Sequence, residues 1–149
     1  MKLRMNHREA NPAGFQSLLK LEESAKKMGL DPILYELIKI RASQINGCSF
    51  CVDMHTSDLR NMGETEQRLN LIVVWRDAPI FTEKERAVLA LTEAVTLISE
   101  AGVPQDVYDE VRRHFSESEF VALIITINAI NCWNRIAIST GMYPGCFDI

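Results

Sequence analysis

The sequence predicts an all-α fold of about six to seven helices. Helix start and stop signals recur along the whole chain, and the apolar residues between them follow the three- and four-residue spacing of amphipathic helices. No segment shows the sustained alternation of apolar and polar residues that marks a half-buried strand. The β-branched run 124–127 resembles a strand, but it lies within a long stretch free of turn residues.

The first two helices begin at paired start signals. Asn11 and Asp31 can each cap a helix through the side chain, and the proline that follows each of them suits the first turn, where a backbone N–H has no helical partner. Gly29 indicates the end of the first helix. The second helix is expected to run to about Asn46, where Asn-Gly breaks the chain.

Two capping boxes open later helices. Thr82 with Glu85, and Ser116 with Glu119, have the spacing at which two side chains satisfy each other's free backbone N–H groups. The remaining expected helices have the approximate bounds 48–62, 69–75 (a short segment), 82–98, 104–114 and 116–139.

The last predicted helix is apolar on nearly every face. A helix of this kind is buried on all sides, at the centre of a bundle or at a subunit interface. The sequence favours both together and hence a homo-oligomer, with the central helix of a monomer as the alternative. The residues concerned are Val121, Leu123, Ile124, Ile125, Ile127, Ile130, Trp133, Ile136 and Ile138.

Composition excludes several classes of protein. The 149 residues, 47% hydrophobic and 24% charged, predict a single globular domain over 1–149. A net charge of -4 provides no basic surface for nucleic acid or anionic lipid. The longest apolar run, 121–125, is too short to cross a bilayer. The basic N-terminus is not followed by the apolar segment of a secretory signal, so a reducing cytoplasmic location is expected.

The chemistry of the chain is concentrated in 47–55, which contains Cys48, Cys51 and His55. On one helix, Cys51 and His55 lie about 40° apart and Cys48 and His55 about 20° apart, so all three share a stripe. Cys51 and His55 are i,i+4 neighbours, within reach directly or through a water. An imidazole there can take the thiol proton, since the thiolate is the reactive form.

Each cysteine has its own route to activation. Cys48 would lie in the first helical turn, where free N–H groups and the helix dipole favour negative charge. Contact with His55 would activate Cys51 instead, and the spacing favours Cys51 as the attacking thiol and Cys48 as the resolving one, with the reverse order left open. Either way the pair is suited to reducing a peroxide or disulfide.

Glu36 is the third expected component. It lies on an apolar stripe between Ile33 and Ile40, where an unpaired carboxylate is costly, and a histidine of the next helix would be a natural partner. The expected catalytic residues are therefore Glu36, Cys48, Cys51 and His55, and no cofactor or metal is predicted. The alternative is an exposed glutamate on a helix flank.

Three other interpretations of the cysteines are open. They could form a structural disulfide, which the expected compartment disfavours. With His55, and with Cys132 or Cys146 as fourth ligand, they could hold zinc, although no second closely spaced pair exists. They could also form a redox sensor or interaction module that changes state without turnover.

Together, Glu36, Cys48, Cys51 and His55 resemble the AhpD-type alkylhydroperoxidase branch of the carboxymuconolactone decarboxylase superfamily. The similarity extends over about 15–139, with N- and C-terminal tails outside this core. The decarboxylases of the superfamily lack the cysteine pair. The other stretches that carry the resemblance are 37–48, 53–56, 63–69, 75–79, 91–96 and 131–135.

The resemblance implies an AhpD-like helical bundle that assembles into trimers or hexamers. It also implies a peroxidase or disulfide reductase in which Glu36 and His55 relay a proton to the Cys48/Cys51 dithiol. Electrons would come from a dihydrolipoamide-type or other thiol donor, and a peroxiredoxin would be a partner. One departure is Phe50, since the best-studied branch has histidine immediately before the second cysteine.

Overall fold

The computed structural model describes residues 2–147. Over that range the fold is all-helical, with no strand, which confirms the predicted class. The described residues form nine α-helices and one 3₁₀ helix, Ile72–Asp77. The α-helices are α1 His7–Ala10, α2 Pro12–Lys26, α3 Pro32–Asn46, α4 Ser49–Asn61, α5 Glu66–Leu71, α6 Glu83–Thr96, α7 Ile98–Ala101, α8 Gln105–His114 and α9 Glu117–Thr140.

The predicted number of about six to seven helices is too low. The structure adds α1 and α7, of four residues each. Neither is long enough to show an apolar period, which is the signal on which a sequence-based assignment depends. α1 lies in the segment expected to be an N-terminal tail outside the core, yet the ring of its His7 is buried edge-on against Phe15 at 5.5 Å between ring centroids.

The start signals act as the sequence predicts. Asn11 accepts the backbone N–H of Gly14 at 2.9 Å, and Asp31 accepts that of Ile33 at 2.9 Å. Both capping boxes are present at the starts of α6 and α9. These contacts satisfy N–H groups that a helix end would otherwise leave without partners.

α3 is the central helix. It packs against α4, α6 and α9, and α9 in turn packs against α2 and α6. Residues 34–40 of α3 are all buried, so the first half of this helix is covered on every side. α4 follows α3 after a single turn, in which Cys48 is buried while Gly47 and Ser49 on either side of it are exposed.

α9 is apolar but only partly covered within one chain. Val121 is 54% exposed and Ile138 45% exposed, while Leu123, Ile127 and Ile130 are buried. By length and composition α9 could span a membrane, but half of its most apolar window is buried in the fold, as in the core helix of a globular protein. Burial on every side therefore needs a surface from outside this chain.

The N-terminal segment returns to the end of α9. The backbone N–H of Arg4 donates to the carbonyl of Thr140 at 2.9 Å. Gly141 ends α9 in the left-handed conformation, with φ of 75°, and a Cβ there would lie 3.1 Å from the carbonyl oxygen of Lys2. Glycine thus allows both the turn and the close approach of the segment that carries Lys2 and Arg4.

Candidate active site

Cys48 lies at the junction between α3 and α4. Gly47, with φ of 72°, ends α3 in the left-handed conformation, and Cys48 is extended and caps α4. Its Sγ accepts the backbone N–H of Cys51 at 3.4 Å. Both thiols are free and each cysteine is only 2% exposed. The short turn therefore places the two sulfurs together in the core, with Cys48 at the positive end of a helix.

The two thiols have opposite acidities. The Cys51 thiol donates to the Cys48 sulfur, and with the backbone N–H groups of Cys51 and Phe50 this lowers the pKa of Cys48 to about 7 despite its burial. The same hydrogen bond, together with burial, raises the pKa of Cys51 far above its ordinary value. These opposite shifts favour Cys48 as the thiolate of the pair, because the cap position draws negative charge to Cys48, whereas the sequence favours Cys51 as the attacking thiol.

Glu36 and His55 form a buried pair. Nδ1 of His55 lies 2.8 Å from Oε2 of Glu36, and both side chains are largely shielded from solvent. An ionised carboxylate only accepts, so Glu36 fixes the proton on Nδ1 and leaves Nε2 to accept one. No direct hydrogen bond joins His55 to either sulfur among residues 2–147. The geometry thus matches the expected carboxylate–imidazole pair, with Nε2 free to act.

Lys39 belongs to the same face of α3. Glu36, Lys39 and Ser43 follow at spacings of three and four, and all three are buried. The Lys39 side chain is 0% exposed, and its Nζ lies 2.5 Å from Oε2 of Glu22 on α2. Burial lowers the pKa of Lys39 even though Glu22 stabilises its charge, and the ammonium in turn favours the thiolate of Cys51. The ammonium group of Lys39 therefore lies close enough to the dithiol to act on Cys51.

Glu22 on α2 has hydrogen-bond partners on two other helices, α3 and α9. Besides Lys39 it accepts the phenol O–H of Tyr35, also on α3, and the indole N–H of Trp133 on α9 at 3.2 Å. Burial opposes its ionisation, but Lys39 and Tyr35 outweigh that effect, so the pKa of Glu22 is lowered. Sequence reasoning missed Glu22 and Lys39. The available signal was the polar spacing of Glu36, Lys39 and Ser43 along an otherwise apolar helix.

Asn134 on α9 is a further residue that the sequence did not single out for the site. Its Oδ1 accepts an N–H of Asn46 at 2.9 Å, which fixes the orientation of the amide, and its Nδ2 donates to Ser43 Oγ at 2.9 Å. The amide also lies near the dithiol and lowers the pKa of both Cys48 and Cys51. Asn134 thus stabilises negative charge on either sulfur.

Replacing Asn134 should make Cys48 less acidic. In Asn134→Ala the pKa of Cys48 should rise from about 7 towards the ordinary cysteine value near 8.5, because one donor to the thiolate is lost. A rise of about one unit would slow alkylation by iodoacetamide about fivefold at about pH 7, with the rate recovering as the pH is raised. Mass spectrometry of Cys48 labelling against pH measures this change.

Asn131→Ala is the matched control. Asn131 lies one turn earlier on α9 and accepts from the same Asn46 at 3.0 Å, but it has no contact with either sulfur. Its loss should leave the alkylation profile unchanged. Equal shifts in the two variants would mean that Asn134 acts only through the packing of α9.

The site opens on two separate cavities. One, of about 410 Å³, is lined by Cys48 together with Lys2 and Arg4. The other, of about 520 Å³, is lined by Glu36 and Asp58 among others. A larger cavity, of about 550 Å³ beside Trp75, contains no cysteine and lies away from this chemistry. Cys48 is the thiol that lines a cavity, so a small molecule would reach the dithiol from its side.

Metal binding has one geometric candidate, which does not involve the cysteines. Among residues 2–147, ligand atoms of Glu36, His55 and Asp58 lie within 4.8 Å of one another. Glu36 and His55 already satisfy each other by hydrogen bonding. The zinc interpretation of Cys48, Cys51 and His55 gains no support, because the described residues contain no such ligand group.

The fold and site define an all-helical protein with a buried dithiol, one thiol of lowered pKa and an adjacent carboxylate–imidazole pair. The carboxymuconolactone decarboxylase family model matches residues 12–94, more than half of the chain. The chain belongs to this family, and its resemblance to the AhpD branch is confirmed.

Two curated relatives illustrate the range of the family. The uncharacterized protein YdfG of Bacillus subtilis is 44% identical over 141 residues, which cover 95% of this chain and 96% of YdfG. Alkyl hydroperoxide reductase AhpD of Solibacter usitatus is 38% identical over 66 residues, covering 43% of this chain and 37% of that protein. The second match extends over part of each protein only.

Solved structures share the fold. ATU0492 from Agrobacterium tumefaciens, a protein of unknown function proposed to be an antioxidant defence protein AhpD, has a TM-score of 0.93 and 46% identity, covering 96% of this chain and 99% of that one. The debrominase Bmp8 has a TM-score of 0.80 at 19% identity, and the match covers 90% of this chain and 72% of the Bmp8 chain. The fold therefore occurs in enzymes that act on different substrates.

Proposed function

We propose that this protein is a thiol-dependent peroxidase that reduces organic hydroperoxides through the Cys48/Cys51 dithiol. The observation that carries the proposal is the thiol of lowered pKa at the start of α4, next to a second thiol and lining a cavity. Membership of a family that includes AhpD agrees with an antioxidant role. Disulfide reduction by the same pair is the closely related activity.

In the first step, the thiolate of Cys48 attacks the terminal oxygen of the hydroperoxide. The sulfur–oxygen bond forms as the oxygen–oxygen bond breaks, giving a sulfenic acid on Cys48 and an alkoxide. A proton relayed through His55, which Glu36 orients, converts the alkoxide to an alcohol. Stabilisation of the thiolate by Cys51 and Asn134 prepares Cys48 for this attack.

In the second step, Cys51 resolves the sulfenic acid. Its sulfur bonds to that of Cys48, and the hydroxyl group of the sulfenic acid leaves. The thiol proton of Cys51 joins this hydroxyl to form water. Lys39 and Asn134 favour the charge that develops on Cys51. An external dithiol of the dihydrolipoamide type then returns two electrons and two protons to the disulfide. The net reaction converts a hydroperoxide and a dithiol into an alcohol, water and a disulfide.

Partners and assembly are part of the same proposal. The protein would work in the cytoplasm as a homo-oligomer, a trimer or hexamer, with a peroxiredoxin as a further redox partner. The half-exposed apolar side chain of Val121 on α9, which lies outside the cavity that Cys48 lines, favours self-association. No nucleic acid or membrane surface is part of the proposed activity.

Steady-state consumption of cumene hydroperoxide, with dihydrolipoamide regenerated enzymatically, tests the proposal. We expect many turnovers, with a lower rate in His55→Ala because the relay is lost. His114→Ala is the matched control, since its ring also contacts a glutamate, Glu110, but at the surface on α8. Consumption of a single equivalent by the wild type, with this and other dithiol donors, would indicate a redox sensor instead of a peroxidase.

A further inference from the structure

The cavity above Cys48 is positively charged. Its charged lining residues, Lys2 and Arg4, are both cations, and no carboxylate lines it. The cavity on the opposite side of the site differs, because Glu36 and Asp58 outweigh Lys26 there. The chain as a whole has a net charge of -4, so the positive charge of this cavity is a local feature. It lies beside Cys48, the thiol of lowered pKa. The two sides of the site therefore favour different ligands.

The two cations have no carboxylate partner within residues 2–147. Arg4 is nevertheless held in place. Its backbone N–H donates to Thr140, and Nη1 of its side chain donates to the carbonyl of Ser139 at 3.3 Å. A guanidinium has five N–H donors, so this anchor leaves capacity for a ligand. Close packing of Lys2 and Arg4 on Gly141 fixes the segment at the rim of the cavity.

The rest of the lining is partly apolar. Ile138 and Met142 face the same space as Cys48 and Ser49. An apolar wall with cations at one rim suits a ligand that has an apolar body and an anionic group. The start of α4, where Cys48 lies, adds to the attraction for negative charge.

We infer that the substrates of this site are anionic, and specifically that they are organic hydroperoxides bearing a carboxylate, which Lys2 and Arg4 bind while the peroxide group reaches Cys48. The inference rests on the proposed peroxidase function. A carboxylate drawn to the two cations that line the cavity raises the local substrate concentration, and salt weakens the effect because both residues are exposed.

A pair of matched substrates tests the inference. Cumene hydroperoxide is neutral, and the same molecule with a carboxylate on the ring is anionic at neutral pH. We expect kcat/KM to be about tenfold higher for the carboxylated substrate, with the ratio falling as sodium chloride is added. In the double variant Lys2→Gln/Arg4→Gln, the ratio of kcat/KM for the carboxylated substrate to that for the neutral one should fall to about the value that the wild type has in high salt.

The control removes two cations elsewhere. Lys20→Gln/Arg113→Gln changes the net charge by the same amount at exposed positions on α2 and α8, so the substrate ratio should stay at the wild-type value. A wild-type ratio near one, or a ratio that the Lys2/Arg4 variant leaves unchanged, would overturn the inference.

A second readout is independent of peroxidase activity. Iodoacetate is anionic and iodoacetamide neutral, and both alkylate a thiolate. The ratio of their rates at Cys48, relative to the ratio for free cysteine, should favour iodoacetate about tenfold and should lose this preference in Lys2→Gln/Arg4→Gln. If no hydroperoxide is turned over but this preference holds, the proposed function fails and the anion site stands. If turnover occurs without either preference, the anion site fails alone.

Discussion

Cys48→Ser should have no hydroperoxide turnover, whereas Cys51→Ser should consume one equivalent rapidly and then continue only at the slower rate at which the external dithiol reduces the sulfenic acid directly. The first variant lacks the attacking sulfur, and the second lacks the sulfur that resolves the sulfenic acid. Both should fold. Serine at position 48 can still accept the N–H of residue 51 and cap α4, since serine is among the best N-cap residues. Peroxide consumption per protein, with the donor in excess, measures both outcomes.

Cys132→Ser provides the matched control. Cys132 lies on α9, is half-buried, and is a free thiol like the pair at the site. Its replacement should leave turnover at the wild-type rate, because it takes no part in the proposed cycle. Multiple turnovers by Cys48→Ser would exclude Cys48 as the attacking thiol, and turnover of Cys51→Ser at the wild-type rate would exclude Cys51 as the resolving thiol.

Lys39→Met should destabilise the fold by about 3–5 kcal/mol, the range for breaking a buried ion pair by removing one partner. The change leaves the carboxylate of Glu22 in the interior without its cation, while methionine fills most of the volume. We expect the lower end of that range, because Tyr35 and Trp133 still donate to Glu22. Urea denaturation, followed by circular dichroism, measures the loss in the free energy of unfolding.

The double variant Lys39→Met/Glu22→Gln separates charge from packing. With both charges gone, the amide oxygen can accept the indole N–H of Trp133 while the amide NH2 donates to the hydroxyl oxygen of Tyr35, so most of the lost stability should return. Arg60→Met is the control for an ion pair at the surface, since Arg60 and Glu66 are both exposed, and it should change the stability little. A double variant as unstable as Lys39→Met would show that the cost comes from packing.

The fold was predictable because its signals are local. A proline after Asn11 or Asp31, and the capping boxes at Thr82 and Ser116, fix helix starts through contacts within three residues, and each appears as a hydrogen bond. The last of the four cysteines shows the limit of such reasoning. Cys146 lies in the segment expected to be a C-terminal tail outside the core, yet it is buried, because that segment folds back onto the core.

The site was predictable where its residues lie on α3 and α4, which are consecutive in the chain. Glu36 meets His55 because α3 and α4 are joined by a single turn, so a short separation in sequence becomes a contact. The partners of Lys39 and of the sulfurs were not predictable in this way. Glu22 and Asn134 come from α2 and α9, and their approach depends on how those helices pack on α3.

The order of the two thiols depends on the residue at which α4 begins. Placing Cys48 inside the helix aligns all three side chains of the motif and favours Cys51, through His55. In the structure Cys48 is the extended N-cap, one residue before the helix, and its sulfur receives the hydrogen bonds of the first turn. A shift of one residue at the helix start therefore reverses the predicted roles of the two cysteines.

Trapping of the sulfenic acid tests the central claim most directly. Cys51→Ser, reduced and treated with one equivalent of cumene hydroperoxide in the presence of dimedone, should give a dimedone adduct on Cys48 in the peptide mass spectrum. We expect a dimedone adduct on Cys48 and no adduct on Cys132 or Cys146. An adduct on Cys51 in Cys48→Ser, with none on Cys48 in Cys51→Ser, would contradict the assignment of Cys48 as the thiolate that attacks the peroxide.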